Sequence, residues 1–389
     1  MGFVSDGDEV ARARRLVLAL GWNAVCFQIL NPGFSYWFSP EGDAVIGYVR
    51  DPARRIRVVG GAPICPKERL PAVVKSWETE SQRAGDRVCY LCAADRLSET
   101  LRPDRFSPPH ASVLLGAQPT WNPQRWPAIL AAQSSLRQQI RRAANKGVRV
   151  EEWEPARATA AASLRQCLQG WLEGRHLPPL RFLAEPHTLD RLEGRRVFVA
   201  VQEAATVGFL IASPIPRRDG WLFEQVIRCR EAPNGTAESL INAAMRAVAA
   251  GGAQYVTLGL VPLSRRGTAA YPVLVQNPLW LRLVLAWARA HGRRFWNFDG
   301  LEAFKAKLQP EEWEPIFAIA NCSRFSPRLL LGIVQAFHPE AERLSATEAL
   351  GRIAGDALAQ EWRRLRDSRL APRKLKIETQ ASDMGNRHS

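Results

Sequence analysis

Glu224 and Arg228 stand four residues apart in the apolar run Trp221–Arg228, a composition that reads as a β-strand. Alternation along a strand puts Leu222, Glu224, Val226 and Arg228 on one face and Phe223, Gln225 and Ile227 on the other. A carboxylate in that position can orient or deprotonate a nucleophile, and a guanidinium beside it can hold a phosphate or a developing oxyanion. The plainer alternative is a salt-bridged pair two positions apart on the strand face. Beyond the strand, Ala232-Pro-Asn-Gly-Thr-Ala-Glu238 leads into an Ala-rich helix. The first amides of that helix can hold an anion, and Asn234-Gly235 lets the backbone approach it closely. Pro-Asn-Gly before a helix is also ordinary turn chemistry.

Further along, Asp299-Gly300 opens a short helix with Leu301, Phe304 and Leu308 as its apolar stripe. Lys305 and Lys307 fall off that stripe and suit a phosphate, although Glu302 could simply pair with Lys305. A second basic group lies on the helix expected from Ser134 to Asn145. There Leu136, Ile140 and Ala143 form the apolar side, while Arg137, Arg141 and Asn145 recur every fourth residue with Arg142 and Lys146 alongside. If this face does more than meet solvent, it contacts phosphates rather than bases, because no interleaved aromatic offers a stacking surface.

These side chains need a scaffold of some size. The chain has 389 residues, 46% of them hydrophobic, enough for two domains with real cores. Lys and Arg outnumber Asp and Glu by 53 to 38, a net charge of +15 that favours phosphate-rich partners such as nucleic acid or anionic lipid. Seven cysteines without close pairing indicate reduced thiols and no disulfides. Cys89-Tyr-Leu-Cys92 has metal or redox spacing, but no second pair or nearby histidine completes a shell, so no metal is expected. The nucleophile-elbow, zinc-protease and phosphate-loop motifs are absent, which leaves hydrolase and nucleotidase readings without an anchor. Leu16–Pro40 is uncharged, yet Asn23, Gln28, Asn31, Pro32 and Gly33 interrupt it, so no membrane span is expected. Asp6, Asp8 and Glu9 before Leu16 favour an ordinary first helix over a signal peptide.

Strands are expected at 36–38, 44–49, 56–60 and 88–93, with a helix over 66–83, which together make one α/β unit. Pro108-Pro109 and the prolines from Pro119 to Pro127 read as a linker, placing units at 1–118 and 119–325 and a helical extension with a basic, disordered tail at 326–389. In the second unit, a helix over 157–175 precedes strands at 197–201, 207–212 and 221–228. A helix at 237–250 and a strand at 254–260 complete a mixed α/β sheet. The apolar helix expected at 279–290 would be core or a cover over an acyl chain, and the apolar run 329–337 would pack on the domain or dock on a membrane.

Read together, Phe223–Arg228, Tyr255–Leu263, Phe295–Leu308 and Trp313–Phe317 are the most specific signal in the chain. In order and spacing they resemble the C-terminal catalytic domain of the phosphatidylglycerol lysyltransferases, also called multiple peptide resistance factors. The resemblance covers roughly residues 16–325 and is strongest from Val207 onward. It implies an α/β fold of tandem GNAT-like acyltransferase units, with mixed sheets flanked by helices and an N-terminal unit that serves as scaffold. It implies transfer of an aminoacyl group from aminoacyl-tRNA, the co-substrate, to a lipid, with no cofactor. Where the relatives carry a multi-span membrane region before this domain, a soluble stand-alone form is expected here. That form would be cytoplasmic, meeting anionic phospholipid at the inner membrane face.

Gapless matching places Arg228 on the Arg of the family's Asp-x-x-Arg, but Gln225 on its Asp. An amide cannot act as a base, so Glu224 is expected to substitute through a local bulge, with Gln225 left to bind substrate. The paired lysines of the family correspond to Lys305 and Lys307, and its Arg-rich helix to Arg137, Arg141, Arg142 and Lys146, a surface for tRNA phosphate. Glu314 matches the Glu of the family's Trp/Tyr-Glu-Pro and is expected to brace the lysine helix. No phosphate-cradling Gly-rich loop of the coenzyme A type is legible, which disfavours the alternative of an acyl-CoA N-acyltransferase. A catalytically silent module for anionic lipid or RNA is the other alternative.

Overall fold

The computed structural model describes residues 6–173, 182–184, 186–264, 266, 281 and 298–337. Two compact units divide the chain, Met1–Ala341 and Glu342–Ser389, and the described residues all belong to the first. Helix α1 (Asp6–Leu20) precedes an antiparallel meander of β1 (Ser35–Phe38), β2 (Val45–Asp51) and β3 (Ile56–Gly60). Helix α2 (Leu70–Arg83) then crosses to β4 (Arg87–Ala93), which runs parallel to β3, and α3 (Asp95–Thr100) follows. Leu70, Val73, Val74 and Trp77 recur at helical spacing, and burial of that stripe against β4 docks α2 on the sheet.

The same order repeats downstream. After β5 (Ala111–Trp121) come α4 (Trp126–Ala132), α5 (Ser134–Asn145), β6 (Val148–Trp153), α6 (Pro155–Ala160) and α7 (Ala162–Glu173). A second antiparallel meander follows, made of β7 (Arg196–Gln202), β8 (Ala205–Ile215) and β9 (Gly220–Arg228). Helix α8 (Thr236–Ala250) crosses to β10 (Tyr255–Thr257), parallel to β9, just as α2 joins β3 to β4. The short β11 (Val261–Pro262), α9 (Phe298–Lys307), β12 (Glu312–Ala320) and α10 (Pro327–Phe337) complete the described chain.

All twelve strands among the described residues form one mixed sheet in the order β1-β2-β3-β4-β12-β5-β10-β9-β8-β7-β6, with β11 against β5. The α/β class read from the sequence is therefore the one adopted. Residues 118 and 119, the expected unit boundary, are consecutive positions of β5, which pairs with β12 on one side and β10 on the other. The linker reading of 108–127 is corrected here, because most of it is this central strand. Pro119 faces Trp313 and Pro315 faces Ala117 in the β5–β12 ladder, and prolines in a central ladder are what disguised both strands.

Apolar packing separates into layers. Leu240, Ile241, Ala244, Met245 and Val248 of α8 pack with Phe223 and Leu210 on one face of the second meander. On its other face, Leu164 and Leu168 of α7 pack with Val199, Phe209 and Ile227. Helix α10 buries Leu329 and Ile333 against β3, so the run expected to pack or to dock is packed over its inner face. Of the helix expected at 279–290, Leu281 alone is described, and it is buried. The expected tail lies outside the described residues. Among them, no helix is long and apolar enough to cross a membrane.

Candidate functional site

Strand β9 contains the bulge anticipated from its sequence, and its effect is opposite to the one expected. Ile211 of β8 pairs with Gln225 and Ala212 with Phe223, so Glu224 is the extra residue. The insertion shifts the alternation. Trp221, Phe223 and Val226 pack on the α8 side, whereas Leu222 and Ile227 face the opposite layers. Glu224 and Arg228 consequently lie on different faces of the sheet, and the shared face expected from simple alternation does not exist.

Glu224 is enclosed on its own side. Arg195 Nε donates to its Oε1 at 2.7 Å and Gln28 Nε2 to its Oε2 at 2.5 Å. The Arg195 and Glu224 side chains are 2% and 8% exposed. Arg195 also donates to Ser213 Oγ, to Asn31 Oδ1 and to the Arg191 carbonyl. A carboxylate with both oxygens committed to a buried cation and an amide is a clasp between β9, the turn before β7 and the segment 28–31, not a base facing substrate. Gln225 Nε2 donates to the Pro186 carbonyl at 3.1 Å on this same side.

Arg228 is exposed at the carboxyl end of β9, on the α8 side, with no ion-pair partner among the described residues. The following turn carries exposed Asn234 and buried Gly235. Gly235 adopts φ +96°, and a Cβ there would enter the van der Waals shell of the Gln139 carbonyl of α5. Close packing of α8 against α5 therefore requires this glycine. Lys307 Nζ reaches the first turn of α8, donating to Glu238 Oε1 at 3.1 Å. Asn234, Gly235 and Lys307 thus lie at the amino end of α8, and Arg228 ends the strand that leads into it; amides and cations there favour an anion, with Glu238 as the opposing charge.

Lys305 serves differently from the phosphate ligand expected of it. Its side chain is buried, and Nζ donates to the carbonyls of Leu258, Gly259 and Leu260 at 2.7, 2.9 and 3.3 Å. All three ammonium hydrogens are used, pinning the segment just past β10. Burial pushes its pKa down to about 7. Arg137 is likewise occupied, because Nη1 caps the Leu130 and Ala131 carbonyls at the end of α4. Arg141, Arg142 and Lys146 remain exposed along α5, while Leu136 and Ala143 face the core.

Glu314 is a brace, but of the central sheet rather than of the lysine helix. Arg218 grips its carboxylate with Nη1 and Nη2 at 3.0 and 2.5 Å, and Tyr255 and Gln118 donate to its Oε2. Sequence reading missed Arg195 and Arg218. Both sit in Arg-Arg pairs of turns that look like surface, and their acidic partners lie 29 and 96 residues away. Among the described residues no His, Cys, Asp or Glu cluster could hold a metal ion.

The sequence profile of the family described as phosphatidylglycerol lysyltransferase, C-terminal, matches residues 15–320. The chain belongs to that family. Membership makes it a transferase of the acyl- or aminoacyl-transferring kind. Two solved structures share the fold closely: the C-terminal domain of a protein named as a lysylphosphatidylglycerol synthetase from Agrobacterium fabrum, and L-PGS from Bacillus licheniformis. The first is 22% identical with a TM-score of 0.68, covering 86% of this chain and 98% of that one. The second is 18% identical with a TM-score of 0.67, covering 84% and 94%. A conserved protein of unknown function from Bacteroides thetaiotaomicron, 11% identical with a TM-score of 0.56, covers 80% and 96%. At these identities the likeness establishes the fold. No curated protein matches the chain.

Proposed function

We propose that this chain transfers an aminoacyl group from aminoacyl-tRNA to the hydroxyl of an anionic lipid such as phosphatidylglycerol. The observation that carries the reading is the family match over 15–320, which spans the cation-and-amide cluster of Arg228, Asn234, Gly235 and Lys307. In this reaction the lipid oxygen bonds to the aminoacyl carbonyl carbon, the ester bond to the tRNA ribose breaks, and the lipid hydroxyl proton passes to the departing ribose oxygen. The ester is already activated, so positioning and charge stabilisation supply most of the acceleration.

Within this scheme Arg228 and Lys307 hold the lipid phosphate, and the α8 amides face the oxyanion. Glu224 is a positioning residue, fixing through Arg195 the bulge that turns Arg228 toward α8. Arg141, Arg142 and Lys146 carry tRNA phosphate on α5. One observation favours a second reading, a silent module that binds lipid or RNA. Matched to the motif that the resemblance implies, Gln225 takes the place of an acid, and its amide is bonded to a backbone carbonyl.

The test incubates purified protein with a mixture of charged tRNAs and phosphatidylglycerol vesicles, then searches for aminoacylated lipid by mass spectrometry. Product that requires Arg228 supports transfer. Vesicle or tRNA binding without product supports the silent module.

A further inference from the structure

The internal repeat has a second crevice. In the C-terminal half, the parallel pairing of β9 with β10 ends at Leu222 and Thr257, beside the segment pinned by Lys305, and β9 itself runs on to the turn that carries Asn234. The equivalent place in the N-terminal half lies past the parallel pair β3–β4, where open sheets bind ligands beyond the carboxyl ends of their strands. There the 65–68 loop, α3 and Arg217 line a half-open cavity of about 550 Å³. That volume is in the range, roughly 300–1,000 Å³, of sites for small molecules.

Its wall is rich in cations. Lys67, Arg96, Arg105 and Arg217 line it together with Glu68, Asp95 and Glu99. Glu99 is drawn off by Arg102 at 3.5 Å, Asp95 accepts the Arg96 backbone N–H, and exposed Glu68 acts on Arg96 through space without an ion-pair contact. Lys67, Arg96 and Arg217 have no ion-pair partner among the described residues, unlike the half-buried Arg57 and Arg218. Arg96 is the most telling of them. It lies 5.6 Å from the Trp22 ring, donates one bond of 3.3 Å to the Cys65 carbonyl, and keeps its buried Nε without a partner. Burial lowers the pKa of this half-buried guanidinium despite the through-space pull of Glu68, so an anion that contacts it directly would stabilise it further.

We infer that this cavity is a binding site for a small phosphate ester, gripped by Arg96, Lys67 and Arg217. Phosphate presents more acceptor oxygens than a carboxylate and so suits a set of three separate cations better. The site shares no residue with the Arg228–Lys307 cluster, and the inference does not depend on the transfer reaction. The ester belongs to a soluble metabolite or to a lipid headgroup, and the experiment separates these sources.

The full chain is titrated calorimetrically with inorganic phosphate, glycerol 1-phosphate and adenosine monophosphate, and by flotation with phosphatidylglycerol or phosphatidylcholine vesicles. Binding tighter than about 10 mM is expected for at least one phosphate compound. Lys67→Gln with Arg217→Gln, both exposed, should weaken it about tenfold or more, as should Arg96→Gln. Arg83→Gln, at the far end of α2, should leave it unchanged. Binding of a soluble ester that is lost in these variants supports a soluble ligand. Binding only to phosphatidylglycerol vesicles, lost in the same variants, supports a headgroup. No binding by any probe, or equal loss in Arg83→Gln, or parental affinity in the paired variant of correct melting profile, overturns the assignment.

Discussion

Replacing Glu224 with glutamine removes one charge from a pair whose side chains are 2% and 8% exposed, and it leaves Arg195 buried without a counter-charge. Breaking such a pair from one side costs about 3–5 kcal/mol. Glutamine keeps one acceptor for Arg195, so the lower end, about 3 kcal/mol, is expected. In a chain of 389 residues that corresponds to a fall of roughly 4 °C in melting temperature. Thermal unfolding followed by circular dichroism measures it. The double variant Arg195→Met/Glu224→Met provides the control, because apolar replacement of both partners should recover most of the loss. A Glu224→Gln protein that melts like the parent, yet has lost transfer completely, would refute the clasp and restore Glu224 as a chemical base.

Other consequences follow from the same geometry. Lys305 carries a proton up to pH 10.5 when unfolded but only up to about 7 when folded. Between those values the unfolded state binds the additional proton, so stability should rise with pH across that window and be independent of this group below it. Subtracting the Lys305→Met melting profile should reveal this slope, at most about 1.4 kcal/mol per pH unit, and parallel profiles would contradict it. Gly235→Ala should lower stability by about 2 kcal/mol or more by forcing α5 from α8, and an unchanged urea midpoint would argue against that packing. The triple variant Arg141→Ser/Arg142→Ser/Lys146→Ser should weaken tRNA binding and reduce the salt slope of log Kd by about two to three. Filter binding between low and high salt checks this, and a parental slope would remove α5 from the tRNA surface.

Local signals in the chain were sufficient wherever structure is decided locally. Strand β3 and helix α5 have the limits read from their apolar spacing, 56–60 and 134–145, because each buries one periodic stripe. Strand β5 was hidden by Pro119 and by its small and polar residues, and only pairing with β12, some 200 residues away, makes it central. The Glu224 bulge could be imagined from sequence, but not its consequence, since which face α8 covers depends on tertiary packing. Lys305 and Lys307 look alike at two-residue spacing. The fold buries one among three carbonyls and leaves the other beside Glu238. Arg195 was illegible for a similar reason: its partners Asn31, Ser213 and Glu224 are far apart in sequence.

Lipid aminoacylation by wild-type and Arg228→Ala protein, with matched thermal stability, is the most direct measurement of the central claim. The account predicts aminoacyl-phosphatidylglycerol from the wild type and a loss of about a hundredfold or more in the variant, whose exposed side chain supports no packing. Undiminished product from Arg228→Ala would contradict the placement of the reaction at the carboxyl end of β9. Failure of the wild type with every charged tRNA would contradict the transfer itself.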